Sequence, residues 1–309
     1  MPETKEFDMI VVGDLNADLV LTGDVVPQFG QVEKLVDDAT LTLGSSAGIF
    51  ACGAARLGLK TALISKIGDD TFGHFLLSEL KCRNVDTRGV TIDLNVKTGL
   101  TVILNRGTDR AILTHLGSIS EIHGTDIDPE LLANGRHLHL AAYYLLTGLM
   151  PDVPALFTQA QHFGLTTSLD TNYDPSETWD GHLPDVLKHT SLLLPNETEL
   201  LGMTRTQTLA QGVEAVEHLA PLVVVKLGAQ GALARQGSET ITAPSIKVDV
   251  VDTVGAGDSF DSGFLYGFLA HWPLERSLRL ACICGSLSTR AAGGTIAQAT
   301  LEEALHCLD

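Results

Sequence analysis

Residues 245–270 read SIKVDVVDTVGAGDSFDSGFLYGFLA, and the rest of the chain is organised around them. Ile246 to Val251 is predicted to be a strand. Asp252 to Asp258 is then a turn, and a helix follows. Phe260, Phe264 and Phe268 recur at i, i+4 and i+8 and would form one apolar stripe on that helix. Small residues at Gly255, Ala256 and Gly257 allow a sharp turn and leave several N–H groups uncovered at the helix N-terminus. Unsatisfied donors and the helix dipole make such a place an anion site. Asp258 falls in the same first turn. A carboxylate there repels a bound phosphate unless it has a task, such as taking a proton from an attacking hydroxyl. Taken alone, the same residues also read as a plain tight turn with a helix-capping acid.

The chain has 309 residues, a formal charge of −18 and 44% hydrophobic residues. That composition supports a large buried core and argues against nucleic acid or an anionic membrane surface as a partner. Five cysteines, scattered and without a Cys-x-x-Cys pair, suggest neither a disulfide framework nor a zinc site. Met1 to Asp8 is polar and acidic, unlike a targeting peptide, and no apolar run approaches a membrane span. The expected location is the cytoplasm.

Strand and helix patterns alternate along most of the chain. Phe7–Val12 is a buried first strand that delivers Asp14-Leu15-Asn16-Ala17-Asp18 at its carboxyl end, the edge where open α/β sheets bind ligands. Residues 20–43 suggest short strands outside the main sheet. Residues 43–48 form a small-residue loop into a helix over 49–57, with Gly58 as its C-terminal cap. A strand at 61–67 and a helix at 70–83 follow. Residues 98–105 and 111–115 read as a hairpin across Arg106-Gly107-Thr108-Asp109-Arg110. From residue 137 strands and helices alternate again, with strands at 137–141, 165–170, 191–194 and 222–227. A second hairpin, at 232–236 and 240–243, precedes the 245–270 unit. The pattern predicts an α/β fold with a mostly parallel central sheet covered by helices on both faces. It also predicts one domain over 1–309, with a small lid of strands drawn from about 14–43 and 89–116.

Several segments carry candidate chemistry. Asn196 and Glu199 follow a buried strand, three residues apart at a helix start. Their oxygens suit Mg²⁺ held partly through water, or equally a helix cap. Lys226-Leu227-Gly228-x-x-Gly231 ends another strand, and its glycines permit close approach of a flat ligand or a phosphate, or simply make a hairpin turn. His137 and His139 share one face of a strand and, with no third ligand, read as structural.

The nine residues Asp252 to Phe260 resemble the C-terminal signature of the ribokinase-like, or PfkB, carbohydrate kinases. Gly13-x-x-Asn16-x-Asp18 looks like that family's first sugar-contact motif, and residues 43–58 look like the second. Residues 194–199 are similar to its Asn-x-x-Glu motif, and Leu227-Gly228-x-x-Gly231 is similar to its nucleotide-side loop. The resemblance covers essentially the whole chain. It implies an ATP-dependent kinase acting on a hydroxymethyl group. Asp258 would be the catalytic base, and the N–H groups of Gly255, Ala256 and Gly257 the anion hole. Asn196 and Glu199 would organise Mg²⁺ and the triphosphate. Lys226, Gly228, Gly231 and Gly257 would face the nucleotide, and Asn16, Asp18, Gly44 and Ser45 the sugar. Asp252 matches a position that ligates K⁺ in some members. The lid often pairs two subunits, which implies a homodimer. Three departures stand out: Ser45 where a second glycine is usual, Ile49 where Asn is frequent, and Tyr143-Tyr144 where ribokinase offers a glutamate. The acceptor expected is a neutral sugar. A nucleoside kinase of the same fold and a non-catalytic sugar sensor are the alternatives.

Overall fold

A computed structural model describes residues 5–106 and 109–308. The expected turn at 106–110 therefore lies partly outside the described residues. In chain order the elements begin β1 (Phe7–Val12), β2 (Asn16–Thr22), β3 (Asp38–Leu43), α1 (Ser46–Arg56), β4 (Thr61–Gly68) and α2 (Thr71–Cys82). They continue with β5 (Asp86–Asp93), β6 (Gly99–Arg106), β7 (Asp109–His115), α3 (Pro129–Ala133), β8 (Gly135–Leu140), α4 (Val153–His162) and β9 (Thr166–Leu169). Then come α5 (Leu183–Leu187), β10 (Leu192–Leu193), α6 (Glu197–Thr204), α7 (Leu209–Val216), β11 (Leu222–Lys226), β12 (Ala232–Gln236) and β13 (Glu239–Ala243). The chain closes with α8 (Ala256–Leu269), α9 (Leu274–Ser288) and α10 (Leu301–Leu308).

Nine strands form the main sheet in the order β13-β12-β11-β10-β9-β8-β1-β4-β5, parallel from β11 to β5 with β12 and β13 antiparallel at one edge. Successive residues of a strand face opposite sides, and the core follows that alternation. Met9 and Val11 of β1 pack with α1, α2, α8 and α9 on one face, while Ile10 and Val12 pack with α3, α4 and α5 on the other. Helices thus cover both faces, which explains why the central strands read as continuous apolar runs. The parallel arrangement brings the carboxyl ends of β1, β8, β9, β10 and β11 to one edge. A second sheet, β3-β2-β6-β7, draws its strands from 16–22, 38–43, 99–106 and 109–115.

Two expectations change. Residues 246–251 are not a strand. β13 already occupies the sheet edge, and Val250 and Val251 are largely exposed. The only backbone bonds near this segment's end are from the Val251 and Asp252 N–H groups, which share the Thr289 carbonyl. Ile246 and Val248 instead pack against the α9–α10 cluster, so the segment forms a wall. Residues 89–93, expected among the lid strands drawn from about 89–116, instead belong to β5 and pair with β4 in the main sheet.

Candidate active site

α8 starts where the glycine turn sets it. Gly255 is the N-cap residue with φ 71°, in the left-handed region that favours glycine. A side chain there would also stand 2.8 Å from Gly294 Cα and 2.8 Å from Ile49 Cγ2. Asp258 lies in the first turn, as its spacing predicts. The Ala256 N–H donates to the Thr253 carbonyl at 3.3 Å. Ala256 is therefore a correction: its amide is already engaged within the turn. Among the described residues, the N–H groups of Gly255, Gly257 and Asp258 have no protein acceptor. The open donors are thus 255, 257 and 258 rather than 255 to 257.

Asp258 sits among carboxylates. Burial, then Asp170 and Asp14, push its carboxyl well above the ordinary range, against the pull of Lys226 and the Ser46 hydroxyl. A base raised in this way holds its proton more firmly once it has taken it. Asp14, at the end of β1, accepts the Ser46 and Ala47 N–H groups at 3.1 and 2.9 Å, so the α1 N-terminus is filled by the protein itself. Burial pushes Asp14 up to about 6, with those amides opposing the shift.

Asn16 and Asp18 open β2. The Asn16 amide donates to Asp18 Oδ1 at 2.8 Å and to Thr101 Oγ1 at 3.1 Å. Burial, then Asp14, push Asp18 up to about 7. Gly44 provides room for this carboxylate, because a Cβ at 44 would stand within 2.3 Å of Asp18 Cγ. Ser45 has φ 75°, the conformation that a second glycine would adopt freely, and its hydroxyl accepts the Gly48 N–H at 2.8 Å. The Ser45 hydroxyl is therefore used as the cap of α1. Raised carboxyls also link stability to pH. A native pKa above the unfolded value means that the folded state binds the extra proton, so stability falls as pH rises from about 4 through the native pKa. Asp18→Asn removes that penalty at pH 8. It is expected to raise the melting temperature of the unliganded protein by at least ~2 °C, and less so at pH 4. An equal or lower melting temperature at pH 8 would contradict this.

On the other side, Asn196 caps α6 in a reciprocal box. Its Oδ1 accepts the Glu199 N–H at 2.9 Å, while its N–H and Nδ2 donate to Glu199 Oε2 and Oε1 at 2.8 and 2.6 Å. Burial, then Asp170, push Glu199 up to about 7. Gly228 has φ 57°, and nothing crowds the place of its missing side chain. Gly231 has φ 97°, and a side chain there would strike the Ala243 carbonyl, so this glycine lets β13 pass close by. Asp252 braces the turn. Its two oxygens accept the Val254 and Gly293 N–H groups at 3.0 and 2.9 Å, and Arg110 lies 3.8 Å away.

A cleft of about 780 Å³ runs along this edge, lined by Lys226, Gly228, Gly231, residues 245–250, Ala256, Gly257 and Phe260, and closed by α9. Gly257 and Lys226 line it together, and the rest of the lining mixes apolar side chains such as Ile246, Val248 and Phe260 with polar ones such as Lys247, Asp249 and Ser286. A small polyanion carrying a flat head fits a lining of this kind. Sequence reading assigns no role to Asp14, Asp170 or Asp261, all of which the fold brings beside these residues. Asp170 carried a positional signal, at the carboxyl end of a buried strand. Asp261 carried one too, as a lone acid in an apolar helix three residues after Asp258. His137 and His139 are buried and share hydrogen bonds with Thr166 and Ser168, and Phe50 stacks on His139 at 3.9 Å. Tyr143 and Tyr144 are packed into the core.

The model of the pfkB family of carbohydrate kinases matches residues 7–301. The chain belongs to this family. Among pfkB relatives, an uncharacterized sugar kinase of Archaeoglobus fulgidus is 32% identical, over 74% of this chain and 90% of that one. The ATP-dependent ribose-1-phosphate kinase of Halopiger xanaduensis is 28% identical, over 92% and 93% of the two chains. The fold is that of a putative ribokinase II of E. coli, solved in complex with ATP and Mg²⁺, at a TM-score of 0.86, 23% identity and coverage of 97% and 98%. The chain is thus a phosphotransferase with an alcohol acceptor, of the ATP-dependent pfkB sugar kinases, on a ribokinase-like fold. No helix among the described residues is long and apolar enough to cross a membrane.

Proposed function

We propose that this pfkB protein transfers the γ-phosphoryl of ATP to a hydroxymethyl group of a neutral sugar. The observation that carries the proposal is the first turn of α8, where the N–H groups of Gly255, Gly257 and Asp258 have no protein acceptor among the described residues, Gly257 lines the cleft together with Lys226, and the Asp258 carboxyl lies close enough to feel the Lys226 charge. Asp258 takes the proton from the acceptor hydroxyl. The amides of Gly255, Gly257 and Asp258 neutralise charge that develops on the migrating phosphoryl group. Asn16 and Asp18 orient the sugar, with Gly44 giving Asp18 its place. The apolar part of the cleft holds the base and ribose of ATP, with Gly228 admitting the phosphates.

Mg²⁺ is implied by the family. The donors near the phosphate end are oxygens, the type Mg²⁺ prefers, but both oxygens of Glu199 already accept from Asn196. Asn196 and Glu199 would therefore hold the ion through water, and its contribution when bound is to neutralise the triphosphate. K⁺ at Asp252 would act on the turn that Asp252 braces. A homodimer through the second sheet is supported by β7, exposed along its length, with Ile112 and Leu113 outward.

Charge favours an acceptor without its own phosphate. Asp14, Asp18, Asp252 and Asp258 surround the acceptor end, with Arg110 beside Asp252 and Lys226 near Asp258 as opposing cations among the described residues. A phosphorylated acceptor meets like charge there. A nucleoside acceptor would be served by a pair of lid aromatics, but Phe29 is fully exposed and Phe50 lies in the core against His139. Phosphate transfer from ATP, measured across neutral sugars, nucleosides and sugar phosphates, tests the proposal. At least one neutral sugar is expected to exceed the others in kcat/KM by ~10-fold or more. Preference for a nucleoside or a sugar phosphate would overturn the acceptor class, and sugar binding with neither ATP hydrolysis nor phosphate transfer would favour a sensor.

A further inference from the structure

Lys226 is the last residue of β11, and its ammonium donates to Asp170 Oδ2 and Asp261 Oδ2, both at 3.0 Å. Asp170 follows β9 at the same sheet edge, and Asp261 lies one helical turn beyond Asp258. All three side chains are nearly inaccessible, and Asp261 is completely so. The ammonium also stands 3.7 Å from where a side chain would begin on Gly257, beside the open amides, and Lys226 lines the nucleotide cleft.

Two carboxylates on one ammonium are more than a structural ion pair requires. Among the described residues, Asp261 Oδ1 is buried without a hydrogen-bond partner. Buried ionic clusters of this kind are seldom more stable than an apolar replacement, so stability alone does not account for this one. Its consequence is electrostatic and geometric. Burial favours a neutral lysine, but the carboxylates of Asp170, Asp261 and Glu199 outweigh it and hold the amine charged. Two acceptors, one on a strand and one on a helix, also fix an otherwise flexible side chain in one place.

We propose that Asp261 and Asp170 are positioning residues that pin the Lys226 ammonium at the γ-phosphoryl end of the cleft, next to the amides of Gly257 and Asp258. Lys226 then shares the charge of the terminal phosphoryl group with those amides, and the two acids never touch the substrate. The proposal rests on the kinase reading above and adds to it a device for discriminating ATP from ADP. Burial pushes Asp261 well up against the pull of Lys226, while on Asp170 burial is outweighed by Lys226, Asp261 and the Asn172 N–H together, which hold that carboxyl below its ordinary range.

The test compares ATP and ADP binding by calorimetry, and kcat, in Asp261→Asn. The affinity for ADP should stay within ~2-fold of wild type while that for ATP falls ~10-fold, with kcat falling by a similar factor and the acceptor KM unchanged. A distorted pocket would weaken both nucleotides alike, and that result would overturn the proposal, as would unchanged ATP binding. Asp170→Asn is read by the same criteria should Asp261→Asn not fold. If the wild-type protein moves no phosphate from ATP to any acceptor, the kinase reading itself fails. An active wild type with an insensitive Asp261 and Asp170 removes only the positioning role.

Discussion

Asp258→Asn is expected to leave the fold intact and to cut kcat by roughly 10²–10⁴-fold, the scale of a lost general base. The amide keeps the size of the carboxyl group but has no basic oxygen for the acceptor proton. The loss should fall on kcat, because Asn16 and Asp18, the residues proposed to hold the sugar, lie on a different element. Asp258 is pushed up by burial and by its acidic neighbours, and it works as a base only when ionised. Wild-type kcat/KM should therefore rise with pH through a limb placed above the ordinary carboxylate range, and fall as pH drops through it. The variant should lose that limb. Its melting temperature at pH 8 should match or exceed that of wild type, since a buried raised carboxyl destabilises the native state once pH passes its unfolded pKa. Near-normal turnover in Asp258→Asn would remove Asp258 from the base role.

Gly255→Ala should be comparably damaging for a different reason. The new methyl group would meet Gly294 Cα and Ile49 Cγ2, both at 2.8 Å, and the residue would keep a positive φ of 71°. The left-handed conformation alone costs Ala about 1–2 kcal/mol. Because Gly294 presents backbone, the start of α8 must move, and the amides of Gly257 and Asp258 move with it. Loss of an aligned donor set of this kind is expected to lower kcat by ~10² or more and to lower the melting temperature. The acceptor KM should change little. Turnover within about threefold of wild type would mean that the alignment of these amides does not matter for the reaction.

The same residues show which parts of the site can be read without coordinates. Gly255, Gly257 and Asp258 are legible because a short-range pattern fixes both their backbone and their place on a helix. β1 is legible for a similar reason, since a buried strand leaves an uninterrupted apolar run. Asn196 and Glu199 are legible as a pair, although the capping box that joins them is also their local structural role. Residues 246–251 mislead because β-branched alternation describes any extended segment with one packed side, whether or not a sheet edge is free to receive it. Ser45 misleads in the opposite way. It is expected to face the sugar, while its hydroxyl caps α1 and its backbone keeps the glycine-like turn. Asp170 and Asp261 are 91 residues apart, and only the parallel sheet order brings both to Lys226. No local pattern carries that information.

The central claim concerns the amides at the start of α8, and it has a direct spectroscopic test. Amide proton and nitrogen resonances can be compared between the free protein and a complex with MgADP, aluminium fluoride and a neutral sugar acceptor, a mimic of the transferred phosphoryl group. The Gly255, Gly257 and Asp258 signals should show large downfield proton shifts, with Ala256, already bonded to the Thr253 carbonyl, moving far less. Unshifted signals for all three, or a shift of Ala256 as large as theirs, would contradict the account.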